Sequence, residues 1–144
     1  MSSALLDVSV LIALFDRGHV KSDRVAGWFA DNASSGWSSC PITENGFVRI
    51  VSQPTYPNLI QARQAVEVLA TATASRFHEF WPCDLSITAP GVVRPDRILR
   101  SSQLTDVYLL ALAVRHHGCF VTLDQHIDLD LVTGATADNL IVID

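Results

Sequence analysis

The chain has 144 residues, of which 49% are apolar and 17% charged, with a formal charge of −5. This composition excludes a disordered chain, and the length suits one domain, expected over residues 1–144, with a single buried core. The acidic balance excludes a broad basic face for nucleic acid, because phosphate contacts need Lys and Arg.

Ser3 to Leu6 reads as a short buried strand. Val10, Leu11, Leu14 and Phe15 follow at helical spacing, and Asp16-Arg17-Gly18 stops that helix. Ser22 to Ala30 reads as a second helix, with Val25, Trp28 and Phe29 on one face. Asn32 to Gly36 is a turn, and Trp37 to Ser39 a strand. Pro41 opens a helix that runs to about Val51. Gln53 to Asn58 is a loop, Leu59 to Thr73 a helix, and His78 to Trp81 a third strand. Asp84 to Pro95 is irregular. Asp106 to His117 is the clearest helix, capped by Gly118; Cys119 to Leu123 and Leu140 to Ile143 are the last strands. Alternating strands and helices predict an α/β layer fold on a mainly parallel sheet.

Cys40, Cys83 and Cys119 are scattered, which argues against both a disulfide framework and a zinc site and suits a reduced cytoplasm. No apolar run approaches the roughly 18 residues of a membrane span, and the N-terminus reads as strand rather than signal peptide. The positive charge is almost all Arg, with Lys21 the only lysine; Arg favours bidentate phosphate contact.

Four acids have unusual settings. Asp7 and Asp124 each follow an apolar strand, and in a parallel sheet ligands bind at the carboxyl ends of the strands. Glu44 heads a helical stripe continued by Phe47, Val48 and Val51, and Asp106 heads another continued by Leu109, Leu110 and Ala113. Each has an ordinary structural reading as well: Asp7 as a helix cap, Glu44 and Asp106 as first-turn acids after Thr43 and Thr105, Asp124 as a turn residue. If the four converge, they cannot all ionise uncompensated, and a hard divalent cation removes that cost. Without a nucleophile motif or a glycine-rich phosphate loop, such a cluster points to metal-assisted phosphodiester hydrolysis.

The segment Leu5-Leu6-Asp7-Val8-Ser9-Val10-Leu11-Ile12-Ala13-Leu14 resembles the first motif of PIN-domain ribonucleases, above all the VapC toxins of bacterial toxin–antitoxin pairs. Ile42-Thr43-Glu44-Asn45-Gly46-Phe47-Val48-Arg49 resembles their second motif. Leu104-Thr105-Asp106-Val107-Tyr108-Leu109-Leu110-Ala111-Leu112-Ala113 is similar to the third, and Val121-Thr122-Leu123-Asp124 to the fourth. The resemblance implies a three-layer α/β/α fold, a Mg²⁺-dependent endoribonuclease site in which Mn²⁺ substitutes, a VapB-like antitoxin partner and a homodimer. Carried over, it assigns metal binding to Asp7 and Asp106, with Glu44 and Asp124 completing the catalytic acids. Ser9 and Thr122 fall where hydroxyl residues support such sites, and Asp128 is the alternative fourth acid. The region Ser75 to Arg100 carries no family marker.

Arg94, Arg97 and Arg100 recur every three residues and would share a helical face as RNA-phosphate ligands; the plainer reading is a solvated loop. His116 and His117 are expected to face the helix-end carbonyls, and Trp28, Trp37 and Trp81 to be core, one of them in reserve for an antitoxin groove. Two other functions remain open: a metal-dependent phosphatase or phosphotransfer domain, weakened because Ser9 stands where its second acid belongs, and a non-catalytic PIN-like binding module.

Overall fold

The computed structural model describes residues 3–144. Strands β1 (Ala4–Leu6), β2 (Trp37–Ser39), β3 (His78–Phe80), β4 (Cys119–Thr122) and β5 (Leu140–Val142) form one sheet in the order β3-β2-β1-β4-β5. All four pairings are parallel, with Leu5 opposite both Ser38 and Phe120. The helices are α1 (Val8–Phe15), α2 (Ser22–Asn32), α3 (Pro41–Val51), α4 (Ala62–Thr73) and α5 (Leu104–Arg115).

The strand period of two divides the core between the faces. Ala4, Leu6, Cys119 and Val121 pack with Val10 and Leu11 of α1, Val25 of α2, Phe47 of α3 and Leu69 of α4. Leu5 and Phe120 point the other way, onto Leu109, Leu110 and Leu112 of α5 and onto Trp81. Helices on both faces of a parallel sheet make the three layers expected of this pattern. Among the described residues, no helix is long and apolar enough to cross a membrane.

Several boundaries differ from the sequence reading, three of them for reasons set by local bonds and backbone. Helix α4 starts at Ala62, not Leu59, because Gln61 is its N-cap and the Gln64 side chain accepts from the Gln61 N–H at 3.0 Å. The residues before it are pinned elsewhere: Asn58 Nδ2 donates to Asp16, and the Tyr56 hydroxyl donates to the same carboxylate. Helix α5 starts at Leu104, directly from the 3₁₀ turn Ser101–Gln103, so Thr105 lies inside it and does not cap it. At its other end His117, not Gly118, takes the left-handed conformation (φ 56°), and the Gly118 N–H donates to Ala113 O at 2.9 Å.

Gly118 is required for a different reason, the close approach of neighbouring backbone. A Cβ there would stand 2.3 Å from the Ser3 carbonyl oxygen and 2.9 Å from the Trp81 ring. Neither the backbone leading into β1 nor a buried Trp yields cheaply, so Gly118→Ala is expected to cost roughly 2–3 kcal/mol. Thermal melting reads this as a fall in Tm; an unchanged Tm would refute the packing argument. His116 does not face carbonyls: its ring stacks on Trp81 at 4.3 Å, and its Nε2 lies 3.8 Å from Asp84 Oδ1. Trp37 and Trp81 are core residues as expected, whereas Trp28 is half-buried.

Candidate active site

The order β3-β2-β1-β4-β5 reverses at β1: the chain moves from β1 outward through β2 and β3, then returns to place β4 on the other side. A crevice therefore opens between the carboxyl ends of β1 and β4, where such sheets bind ligands. Asp7 leaves β1 into that crevice, and Asp124 follows β4. Asp106, the third residue of α5, meets them from the helix layer.

Asp7 is buried, at 8% exposure, and tightly held. Its Oδ1 accepts the Val8 N–H at 2.7 Å, which also caps α1. Its Oδ2 accepts from the Thr122 hydroxyl at 2.7 Å and the Ser9 hydroxyl at 3.2 Å. Ser9 and Thr122 thus act on one oxygen of one acid, and Thr122 joins β4 to the exit of β1. The three donors pull the carboxyl's pKa down, but burial outweighs them and leaves it raised. Asp124 is set by its own turn: Oδ1 accepts from the His126 N–H at 2.9 Å, and its N–H donates to Thr122 Oγ1 at 3.1 Å.

Asp106 carries the electrostatic strain. Burial, the charges of Asp7 and Asp124, and a hydrogen bond shared with Asp124 push its carboxyl up to about 7. Among the described residues none of these three carboxylates has a salt-bridge partner. Nor do any three Asp, Glu, His or Cys side chains there close around a cation by themselves. A hard divalent ion such as Mg²⁺ asks for less, namely one or two carboxylates with the remaining positions held by water and substrate. The hard oxygen donors and their uncompensated repulsion fit such an ion.

Two further acids that the sequence nominates make contacts of their own. Glu44 Oε2 accepts from Ser39 Oγ at 2.6 Å, and Ser39 Oγ lies 2.8 Å from His78 Nε2. Its charge therefore acts on His78 of β3, while the acids acting on Asp106 are Asp7 and Asp124. Helix α3 also lies against the start of α1, since a Cβ on Gly46 would stand 2.6 Å from Val8 Cγ2. Asp128 caps the 3₁₀ turn Leu129–Leu131, accepting from the Asp130 N–H at 2.9 Å, so Asp124 is the acid at the crevice.

The three arginines do not share a face. Pro95–Arg97 is a 3₁₀ turn, and Asp130 holds two of the three arginines. Arg94 Nη1 donates to the Asp130 carbonyl at 2.8 Å, and Arg97 Nη1 to its carboxylate at 3.2 Å. Arg100 has no ion pair among the described residues and lines a cleft with Asp106 and Asp124. The same cleft holds His126, to which sequence reasoning assigned no role. Its position two residues after Asp124 was the available signal.

A profile of the PIN domain matches residues 4–129 of the chain. The chain is 52% identical over 137 residues to Ribonuclease VapC44 of Mycobacterium tuberculosis, covering 95% of this chain and 96% of that protein. Ribonuclease VapC39 of the same organism is 38% identical, covering 85% and 88%. Ribonuclease VapC38 is 39% identical, covering 84% of each. The all-parallel sheet, acids gathered at the β1–β4 crevice, and matches spanning nearly the whole chain lead to one conclusion: this protein belongs to the PIN-domain family, within its VapC-type ribonucleases.

Proposed function

We propose that the chain cleaves RNA internally at the β1–β4 crevice, with a divalent cation held by Asp7 and Asp106 and with Asp124 completing the site. The observation that carries this reading is the Asp106 carboxyl, pushed up to about 7 between two other acids, with no cationic side chain among the described residues paired to any of them. Mg²⁺, or Mn²⁺ in its place, would supply a water of lowered pKa and neutralise charge on the attacked phosphoryl group. The chain's own residues do the positioning. Thr122, Ser9 and the Val8 N–H fix Asp7 so that its ionised form presents oxygen toward the crevice. Asp124, with its own orientation set by the His126 N–H, stands beside Asp106 and adds to the negative charge that the cation would neutralise. Glu44, two residues before the Gly46–Val8 contact, completes the catalytic acids in this reading, with Ser39 orienting its Oε2.

The relatives' name also supports a VapB-like antitoxin as partner, with this chain as the toxin, and the same reading includes a homodimer. Hydrolysis by water leaves 5′-phosphate and 3′-hydroxyl ends. Incubation of purified protein with single-stranded RNA is expected to yield those ends in Mg²⁺ or Mn²⁺ and nothing in EDTA. Cleavage undiminished by EDTA, or 2′,3′-cyclic phosphate ends, would overturn the metal mechanism.

A further inference from the structure

The cleft beside the acids, about 140 Å³, is lined by Arg100, Gln103, Asp106, Asp124, His126 and Leu131. Its two basic side chains come from segments far apart in sequence, and their presentation is built by backbone bonds. Gln103 Oε1 accepts from both the Leu99 and Arg100 N–H groups at 2.9 Å, which fixes the chain at Arg100. The His126 N–H is committed to Asp124 Oδ1, which fixes the chain at His126. Both side chains are nevertheless free: among the described residues neither makes a side-chain hydrogen bond or an ion pair. That contrasts with Arg94 and Arg97, both held by Asp130. Arg100 lines the same cleft as Asp106 and Asp124 and yet pairs with neither. In a chain of formal charge −5, an uncommitted Arg and a His lining one cleft beside an acidic site form a local anion acceptor.

We propose that Arg100 and His126 bind an RNA phosphate next to the one being cleaved, and so set the register of the strand over Asp106 and Asp124. The inference rests on the ribonuclease reading above and adds a residue, His126, and a role for it. Arg100 offers a planar fork to two phosphate oxygens, and the His126 imidazole donates one N–H to the same group. A phosphate held there lies beside the acids without being held by them. The pair therefore contributes to binding, not to the chemical step.

The experiment compares Arg100→Gln and His126→Gln with wild type, in Mg²⁺, on a single-stranded RNA oligonucleotide. Arg63→Gln, whose guanidinium pairs with Glu67 on α4, removes the same charge elsewhere. Replacing His126 keeps the backbone N–H that orients Asp124. Each of the first two variants is expected to raise KM about tenfold with kcat within about twofold, the signature of lost uniform binding. Arg100→Gln should also reduce the salt slope of log(kcat/KM) by about 0.7, one phosphate contact on a single strand. Arg63→Gln should change neither. An equal KM rise in Arg63→Gln, unchanged KM in both cleft variants, or a fall in kcat at constant KM for His126→Gln would each overturn the subsite. Wild-type protein inert toward RNA would instead overturn the ribonuclease reading itself.

Discussion

Asp7→Asn is expected to lower RNA cleavage about 10³-fold, equivalent to about 4 kcal/mol of transition-state stabilisation, with the fold unchanged. The separation of the two effects follows from the bonds around the side chain. An asparagine can keep its carbonyl oxygen at the Oδ1 position, where it still accepts the Val8 N–H and caps α1. Its amide nitrogen then replaces Oδ2, and the Thr122 and Ser9 hydroxyls rotate to accept instead of donating. The Thr122 hydroxyl, which already accepts from the Asp124 N–H, loses the acceptor for its own proton at a cost of about 1 kcal/mol, while a buried charge is removed in compensation. What disappears is the anionic oxygen a divalent ion needs. Circular dichroism and melting should therefore stay close to wild type while single-turnover cleavage collapses. Full activity in a well-folded Asp7→Asn protein would remove Asp7 from the metal site.

The second large effect is a coupling between pH, cation and stability at Asp106. Its carboxyl titrates at about 7 in the folded state against an ordinary 3.8. Between those values the folded protein binds more protons than the unfolded one. Metal-free stability is then fully present below the lower value and declines as pH rises through the upper one. Asp106 is half-buried, so solvent screening reduces the full linkage to about 2 kcal/mol. Roughly two thirds of that falls between pH 5 and pH 8, a Tm change of about 4 °C for a chain of this size. Asp106→Asn is expected to flatten that slope. In wild type, Mg²⁺ should raise Tm at pH 8 more than at pH 5, because cation and proton compete for the same carboxylates. An Asp106→Asn protein with the same metal-free slope as wild type would refute the assignment.

The Glu44 and Asp106 stripes look alike in sequence, since each acid heads an apolar helical face. Asp106 meets Asp7 and Asp124, whereas the Glu44 carboxylate accepts from Ser39 beside His78. Helical spacing reports which residues share a face and says nothing about which neighbouring strand that face meets. The arginine triplet, whose favoured reading is a solvated loop, obeys the same rule. A period of three reads as a helix face only within a helix, and Pro95 sits in a 3₁₀ turn whose arginines reach across to Asp130. No local pattern marks Asp130 as their partner, since it lies 33 residues beyond Arg97.

Strand and helix identity, the burial of both sheet faces and the acids at strand exits were written in short-range features: apolar runs of three or four residues, stripes at three and four, Pro41 at a helix start, Asp7 before one. These depend on backbone periodicity and capping, which are local. The parallel order β3-β2-β1-β4-β5 alone determined which acids share a crevice, and with it the raised Asp106 carboxyl and the partnership of Arg100 with His126. Electrostatic coupling falls off with distance in space, not along the chain, so the site's membership could be set only once the strands had taken their places.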